Sequence, residues 1–137
     1  MVADKISHAI SKILLVLDDE KLVEVLTSQL SQYFELALAS DCRAGVTQAK
    51  IFLPDCILSD ARLPRKALVQ MLEKIRSISR LTGVGVVLFT GREPERYQPR
   101  DHEGLVDLYI AQPYLVEELI ASLTGMTRMH RRGLIPK

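Results

Sequence analysis

Ile13-Leu14-Leu15-Val16-Leu17-Asp18-Asp19-Glu20 is an aliphatic run that ends abruptly in three acids. A run this short and this uniformly apolar reads as a strand buried on both faces, as in a parallel sheet with helices over both sides. From Lys21 to Tyr33 the spacing changes. Leu22, Val23, Val25, Leu26 and Leu30 recur at three- and four-residue steps, which places them on one stripe of a helix. A strand therefore feeds a helix through an acidic turn.

The same alternation repeats outward from this unit. Glu35 to Ala39 is strand-like, and Ser40 or Asp41 stands where a side-chain oxygen can cap a helix running to about Phe52. Cys56-Ile57-Leu58-Ser59 is another short buried strand. Pro64 suits a helix start, where its missing N–H would be unpaired anyway, and Leu68, Val69, Leu72, Ile75 and Ile78 keep helical spacing after it. Val84 to Phe89 is the fourth strand and Leu108-Tyr109-Ile110 the fifth. Val116, Leu119, Ile120 and Leu123 mark a final helix ending near Gly125. Between Gly91 and Gly104, Pro94 and Pro99 each deny an N–H to a continuous helix, so the fourth helix is expected to be short, late or broken. Five strands joined by helical crossovers predict an α/β fold with a five-stranded parallel sheet, doubly wound in the flavodoxin-like manner.

Composition bounds the function. The 137 residues leave room for one domain, and 47% hydrophobic with 26% charged residues is ordinary for a globular chain with a core. Eighteen basic against seventeen acidic side chains give a net charge of +1, which removes the general electrostatic case for a nucleic-acid or membrane-surface binder. No apolar run approaches the ~20 residues that span a bilayer. The apolar stretch after Lys12 stops at acids and lacks the length of a signal-peptide core, so a cytoplasmic location is expected. Cys42 and Cys56 have no metal-type spacing and read as small buried thiols. His8, His102 and His130 are isolated from any metal or triad partner. The expected organisation is an N-terminal extension over 1–9, the domain over 10–125, and a tail or linker over 126–137 that carries Arg128, Arg131, Arg132 and Lys137.

In an open parallel sheet ligands bind beyond the carboxyl ends of the strands. Here the first strand ends in Asp18-Asp19, the third in Asp60, the fourth in Thr90, and the fifth is followed by Gln112-Pro113. Three ionised carboxylates at one edge are tolerable only if some are protonated or a cation sits among them, and an oxygen-only, partly open site favours Mg²⁺. Helix capping is the alternative use of Asp18 and Asp19. Such a use is harder to assign to Asp60, since it follows the apolar run Cys56 to Leu58 and precedes the turn Arg62-Leu63-Pro64.

These residues resemble the receiver domains of two-component response regulators, over about residues 10 to 125. The resemblance is carried by Ile13 to Glu20, by Pro54-Asp55-Cys56-Ile57-Leu58-Ser59-Asp60 with Leu63-Pro64, by Val87-Leu88-Phe89-Thr90-Gly91, and by Tyr109-Ile110-Ala111-Gln112-Pro113. It implies a phosphoaccepting signalling domain rather than an enzyme. Asp60 would be the phosphoacceptor, receiving its phosphoryl group from a sensor histidine kinase or a phosphotransfer protein. Asp18, Asp19, Asp60 and the backbone carbonyl of Arg62 would hold Mg²⁺. Thr90 would bond the phosphoryl group, and Tyr109 would be the aromatic that turns inward behind it. A homodimer is compatible with the resemblance, whereas contact with a membrane or with nucleic acid is not expected of this chain.

The departure from the pattern is Gln112, where receivers have a lysine that pairs with the phosphoryl group. No lysine lies between Lys74 and Lys137, and only Arg62 and Arg92 flank the site. Two acids, an aspartyl phosphate at about −2 and Mg²⁺ leave a net charge near −2, which a lysine would halve. A neutral amide leaves the two phosphorylation states more alike. Two functions from different classes follow: a phosphoacceptor switched by a kinase, or a receiver-like interaction module that acts without phosphate. An enzyme or flavin carrier on the same fold lacks the glycine-rich phosphate cradle it would need.

Overall fold

The computed structural model describes residues 10–90 and 104–131, the last three by their backbone alone. Strand β1 spans Lys12–Val16, helix α1 Glu20–Leu30, β2 Glu35–Ala39, α2 Cys42–Phe52, β3 Cys56–Asp60 and α3 Arg65–Arg76. A 3₁₀ turn at Ser79–Leu81 precedes β4 at Gly85–Thr90, and β5 at Leu108–Ala111 leads into α4 at Val116–Arg131.

All strand pairings are parallel, in the order β2-β1-β3-β4-β5. The chain reverses its direction of winding once, between β1 and β3, and in doubly wound sheets that is where a ligand crevice opens. The register aligns Val16 with Ser59, Ser59 with Leu88, and Leu88 with Tyr109. One step further Asp60 pairs with Phe89 and Phe89 with Ile110, and one more step pairs Thr90 with Ala111, so the strand-end residues lie along one edge of the sheet.

Side-chain alternation divides the core between the two faces of the sheet. Leu14, Val16, Ile57, Val86 and Leu88 pack with Ala49, Leu68, Met71, Leu72 and Ile75 from α2 and α3. Ile13, Leu15, Leu17, Leu58, Val87 and Phe89 pack with Leu26, Leu30, Leu119 and Leu123 from α1 and α4. Every residue of β3 and β4 is buried, which explains why these strands read as continuous apolar runs.

Caps set the helix starts. Asp19 accepts from the N–H groups of Lys21 and Leu22 at 2.9 and 3.3 Å, and Asp41 from that of Ala44 at 2.7 Å. Of the two candidate caps for α2, Asp41 is the one used. Pro64 stands at the cap of α3, one residue before the helix it was expected to open. Leu53 ends α2 with a left-handed backbone (φ 51°) and packs its side chain against the core.

The final helix corrects the sequence expectation. It continues past Gly125 to Arg131, because Met126 and the buried Thr127 pack inward and hold the next turns against the sheet. A glycine within a helix loses only ~1 kcal/mol relative to alanine, which such packing overrides. The first residues of the 126–137 segment are therefore helical. The broken fourth helix expected between Gly91 and Gly104 lies outside the described residues, as does Arg92.

Candidate functional site

Asp60 is the last residue of the central strand β3 and is 2% exposed. β1 and β4 pair along the two sides of β3, the first as far as Ser59 and the second through Asp60 itself, which fixes the strand that carries it. Just beyond it the N–H of Ala61 donates to the Phe89 carbonyl at 2.8 Å, which keeps the chain in the sheet plane for one more residue. The turn to Pro64 then folds back, the Leu63 N–H donating to the Asp60 carbonyl at 3.1 Å.

That fold-back delivers Arg62 to the carboxylate. Its backbone N–H donates to Oδ1 of Asp60 at 2.8 Å, its Nε to Oδ1 at 3.0 Å and to Oδ2 at 3.2 Å, and its Nη2 to Oδ2 at 2.8 Å. The guanidinium thus forks across both oxygens, the geometry in which arginine binds carboxylates most strongly. The side chains differ sharply in exposure, 55% for Arg62 and 3% for Asp60.

Asp18 and Asp19 follow β1 and are both exposed. Their charges act on the same guanidinium. The Arg62 group is held above its ordinary value chiefly by its hydrogen bond to Asp60, against the opposing effect of burial, and further by the charges of Asp60, Asp19 and Asp18. The counter-charge of Asp60 is supplied, in this structure, by the chain itself. Asp18 also acts on Cys42, whose thiol is pushed up first by burial, then by Asp41 and Asp18.

Thr90, 6% exposed, ends β4 beside the position of Asp60 in β3. Its carbonyl accepts the N–H of Gln112 at 3.4 Å, and Gln112 precedes Pro113 through a cis peptide bond. Tyr109 lies on the edge strand β5 and is 36% exposed. Sequence reasoning did not single out Tyr114. Its ring stacks on Phe89 with centroids 5.2 Å apart, and its hydroxyl donates to Oε1 of Gln29 at 2.8 Å, joining the turn after Gln112 to the floor of the edge and to α1. An aromatic immediately after Gln112-Pro113 was its only sequence signal.

Among the described residues no group of three or more His, Cys, Asp or Glu is gathered to hold a metal. By chemistry alone the expected donors, three carboxylates and a carbonyl, are all oxygen, the type a hard cation takes. Of the residues expected around a metal, the structure engages Asp60 with Arg62, and Asp19 Oδ1 with the α1 cap. For Arg62 it is the side chain, rather than the carbonyl, whose contact with the site is seen.

No family model matches the chain. Among curated proteins it is 25% identical over 119 residues to the hybrid signal transduction histidine kinase D of Dictyostelium discoideum, covering 87% of this chain and 8% of that protein. It is 26% identical over 120 residues to the transcriptional regulatory protein KdpE of Staphylococcus aureus, covering 87% of this chain and 51% of that one. The chain thus spans about half of such a regulator and a small fraction of such a kinase. Among solved structures, a response regulator receiver domain from Clostridium thermocellum superposes with a TM-score of 0.76 at 18% identity, over 92% of this chain and 99% of that one. The receiver domain of a sensor histidine kinase from Pseudomonas aeruginosa, solved with a magnesium ion coordinated in its active site cleft, gives 0.74 at 24% identity over 88% and 99%. Sheet order, crossover connections and these superpositions agree: the chain has the flavodoxin-like fold of response regulator receiver domains.

Proposed function

We propose that the chain is a phosphoacceptor receiver domain of two-component signalling, with Asp60 as the nucleophile. The observation that carries this reading is a carboxylate 2% exposed at the carboxyl end of the central strand, flanked by Thr90 and by two further acids. Asp55, at the opposite end of β3, shows what a structural acid does: it accepts the Lys12 N–H at 2.8 Å and ties β3 to β1.

In the reaction an Oδ of Asp60 attacks the phosphorus of a phosphohistidine. The new O–P bond forms as the P–N bond breaks, and the imidazole nitrogen leaves with the electron pair and takes up a proton. The donor is a sensor histidine kinase or a phosphotransfer protein; acetyl phosphate serves in its place, releasing acetate. Mg²⁺ held by Asp18, Asp19, Asp60 and the Arg62 carbonyl would neutralise phosphoryl oxygens. Thr90 would donate its hydroxyl to the transferred group, and Tyr109 would respond from the adjacent strand.

Incubation with acetyl phosphate and Mg²⁺ should add one phosphoryl group at Asp60, located by mass spectrometry, and none in Asp60→Asn. A phosphoryl group on Asp55, or incorporation undiminished in Asp60→Asn, would overturn the assignment. Gln112 favours a second reading, an interaction module that needs no phosphate. A partner that binds Asp60→Asn as tightly as the unaltered chain would support that reading instead.

Among the described residues no helix is long and apolar enough to cross a membrane. Action in the cytoplasm accords with the proposed role.

A further inference from the structure

We infer that Arg62 is a gate on Asp60: its guanidinium and a divalent cation exclude one another at the carboxylate, and cation entry frees the guanidinium to bind the phosphoryl group. This rests on Asp60 being the phosphoacceptor and goes further, since it assigns a side chain to both the resting and the phosphorylated state.

Exclusion follows from lone pairs and charge. A carboxylate offers about four acceptor positions. The Arg62 N–H, Nε and Nη2 occupy both oxygens of Asp60 at 2.8 to 3.2 Å. A metal ligated directly at ~2.1 Å must displace a donor, and it would also stand against a like charge. The guanidinium is the donor free to leave. Arg62 is 55% exposed and can be rehydrated, whereas Asp60 is 3% exposed beneath it, and losing the counter-ion there costs more than water returns. Removing Arg62 without supplying another cation would leave a buried charge beside Asp18 and Asp19. The exchange is therefore cation for cation, and the nucleophile remains covered until one arrives.

The displaced side chain is tethered two residues from Asp60. Its planar fork suits a phosphoryl group as well as it suits a carboxylate. With Gln112 contributing no charge, the freed guanidinium would take the net charge of the phosphorylated site from near −2 to near −1. That is the contribution a lysine at 112 would make.

The test is equilibrium Mn²⁺ binding, followed by the electron paramagnetic resonance of the free ion, on the unaltered chain, Arg62→Met, Arg62→Lys and Asp60→Asn. Far-UV circular dichroism confirms that each is folded. Arg62→Met should bind Mn²⁺ at least tenfold tighter, about 1.4 kcal/mol, with Arg62→Lys between it and the unaltered chain. With Mg²⁺ saturating, beryllium fluoride should then bind Arg62→Met more weakly than the unaltered chain, the opposite sign. Equal Mn²⁺ affinities for the unaltered chain and Arg62→Met would overturn the gate. If Asp60→Asn still abolishes binding, the phosphoacceptor reading stands without it. Mn²⁺ binding that survives Asp60→Asn unchanged would overturn both.

Discussion

Position 112 shows how one side chain changes the meaning of another. From the sequence, Gln112 implies a site short of one positive charge, and Gln112→Lys would be expected to strengthen the response to phosphate. The Arg62 fork changes that expectation, because a guanidinium is already within reach of Asp60. Gln112→Lys alone should alter beryllium fluoride affinity by less than about threefold. In an Arg62→Met background it should restore about tenfold, since a charge-assisted hydrogen bond exceeds a neutral one by roughly 1 to 2 kcal/mol. A double-mutant cycle by isothermal titration measures the coupling, and additive effects would separate the two residues. The cysteines make a simpler case. Both are buried and both thiols are pushed up, Cys56 by burial first and then by Asp107 and Asp55. Their reaction with dithionitrobenzoate at neutral pH should be at least ~tenfold slower than that of a free thiol, and urea should release two fast equivalents. A fast equivalent from the folded chain would contradict their burial.

At the level of elements, the end of α3 is tied to the far side of the sheet by one arginine. Arg76 Nη1 donates to the carbonyls of Thr82 and Val84 at 2.9 and 2.7 Å, and Nη2 to Leu105 O at 3.2 Å and Asp107 Oδ2 at 3.0 Å. Asp107 in turn accepts the Val86 N–H at 2.8 Å, which joins β4 to the approach of β5. Both side chains are mostly buried, so Arg76→Met should lower the stability in urea by ~3 kcal/mol, and Arg76→Lys by roughly half that, since an ammonium cannot fork to four acceptors. A loss below 1 kcal/mol would show the contacts to be dispensable. Nothing in the sequence announces this staple, because its partners lie up to 31 residues apart. The central strands were legible for the opposite reason: burial of β3 and β4 on both faces leaves uninterrupted apolar runs, while the edge strand β2, only partly buried, was still read at its observed bounds. The final helix was read short because glycine is a common stop and the inward packing of Thr127 is invisible in one dimension. The site divides in the same way. The strand-end positions of Asp18, Asp19, Asp60 and Thr90 could be read from the sequence, while the direction of the Arg62 side chain depends on the turn after Asp60.

Across the whole molecule, the two halves of the core share a sheet, and Asp60 sits where that sheet meets solvent. Its counter-ion should therefore be felt in global stability. Arg62→Met leaves a buried carboxylate without its partner. Because the guanidinium is more than half exposed, the full effect of breaking a buried pair is discounted to ~1 to 2 kcal/mol. For a chain of this length that lowers the melting temperature by about 3 to 8 °C. Asp60→Asn removes the buried charge and releases Arg62 into water it already contacts, so its melting temperature should stay close to that of the unaltered chain or exceed it. Mg²⁺ supplies the contrast, since a ligand that binds only the folded form stabilises by RT ln(1 + [L]/Kd). At about ten times its Kd for Arg62→Met that is ~1.4 kcal/mol, enough to return most of the loss. The unaltered chain must first displace its own guanidinium and should gain less, and an Arg62→Met, Asp60→Asn double variant should gain nothing. Differential scanning calorimetry of the four proteins with and without Mg²⁺ reads all of this at once. Equal melting temperatures for the unaltered chain and Arg62→Met without Mg²⁺ would mean that water reaches Asp60 once the guanidinium is gone, and that Arg62 covers the carboxylate without being needed there.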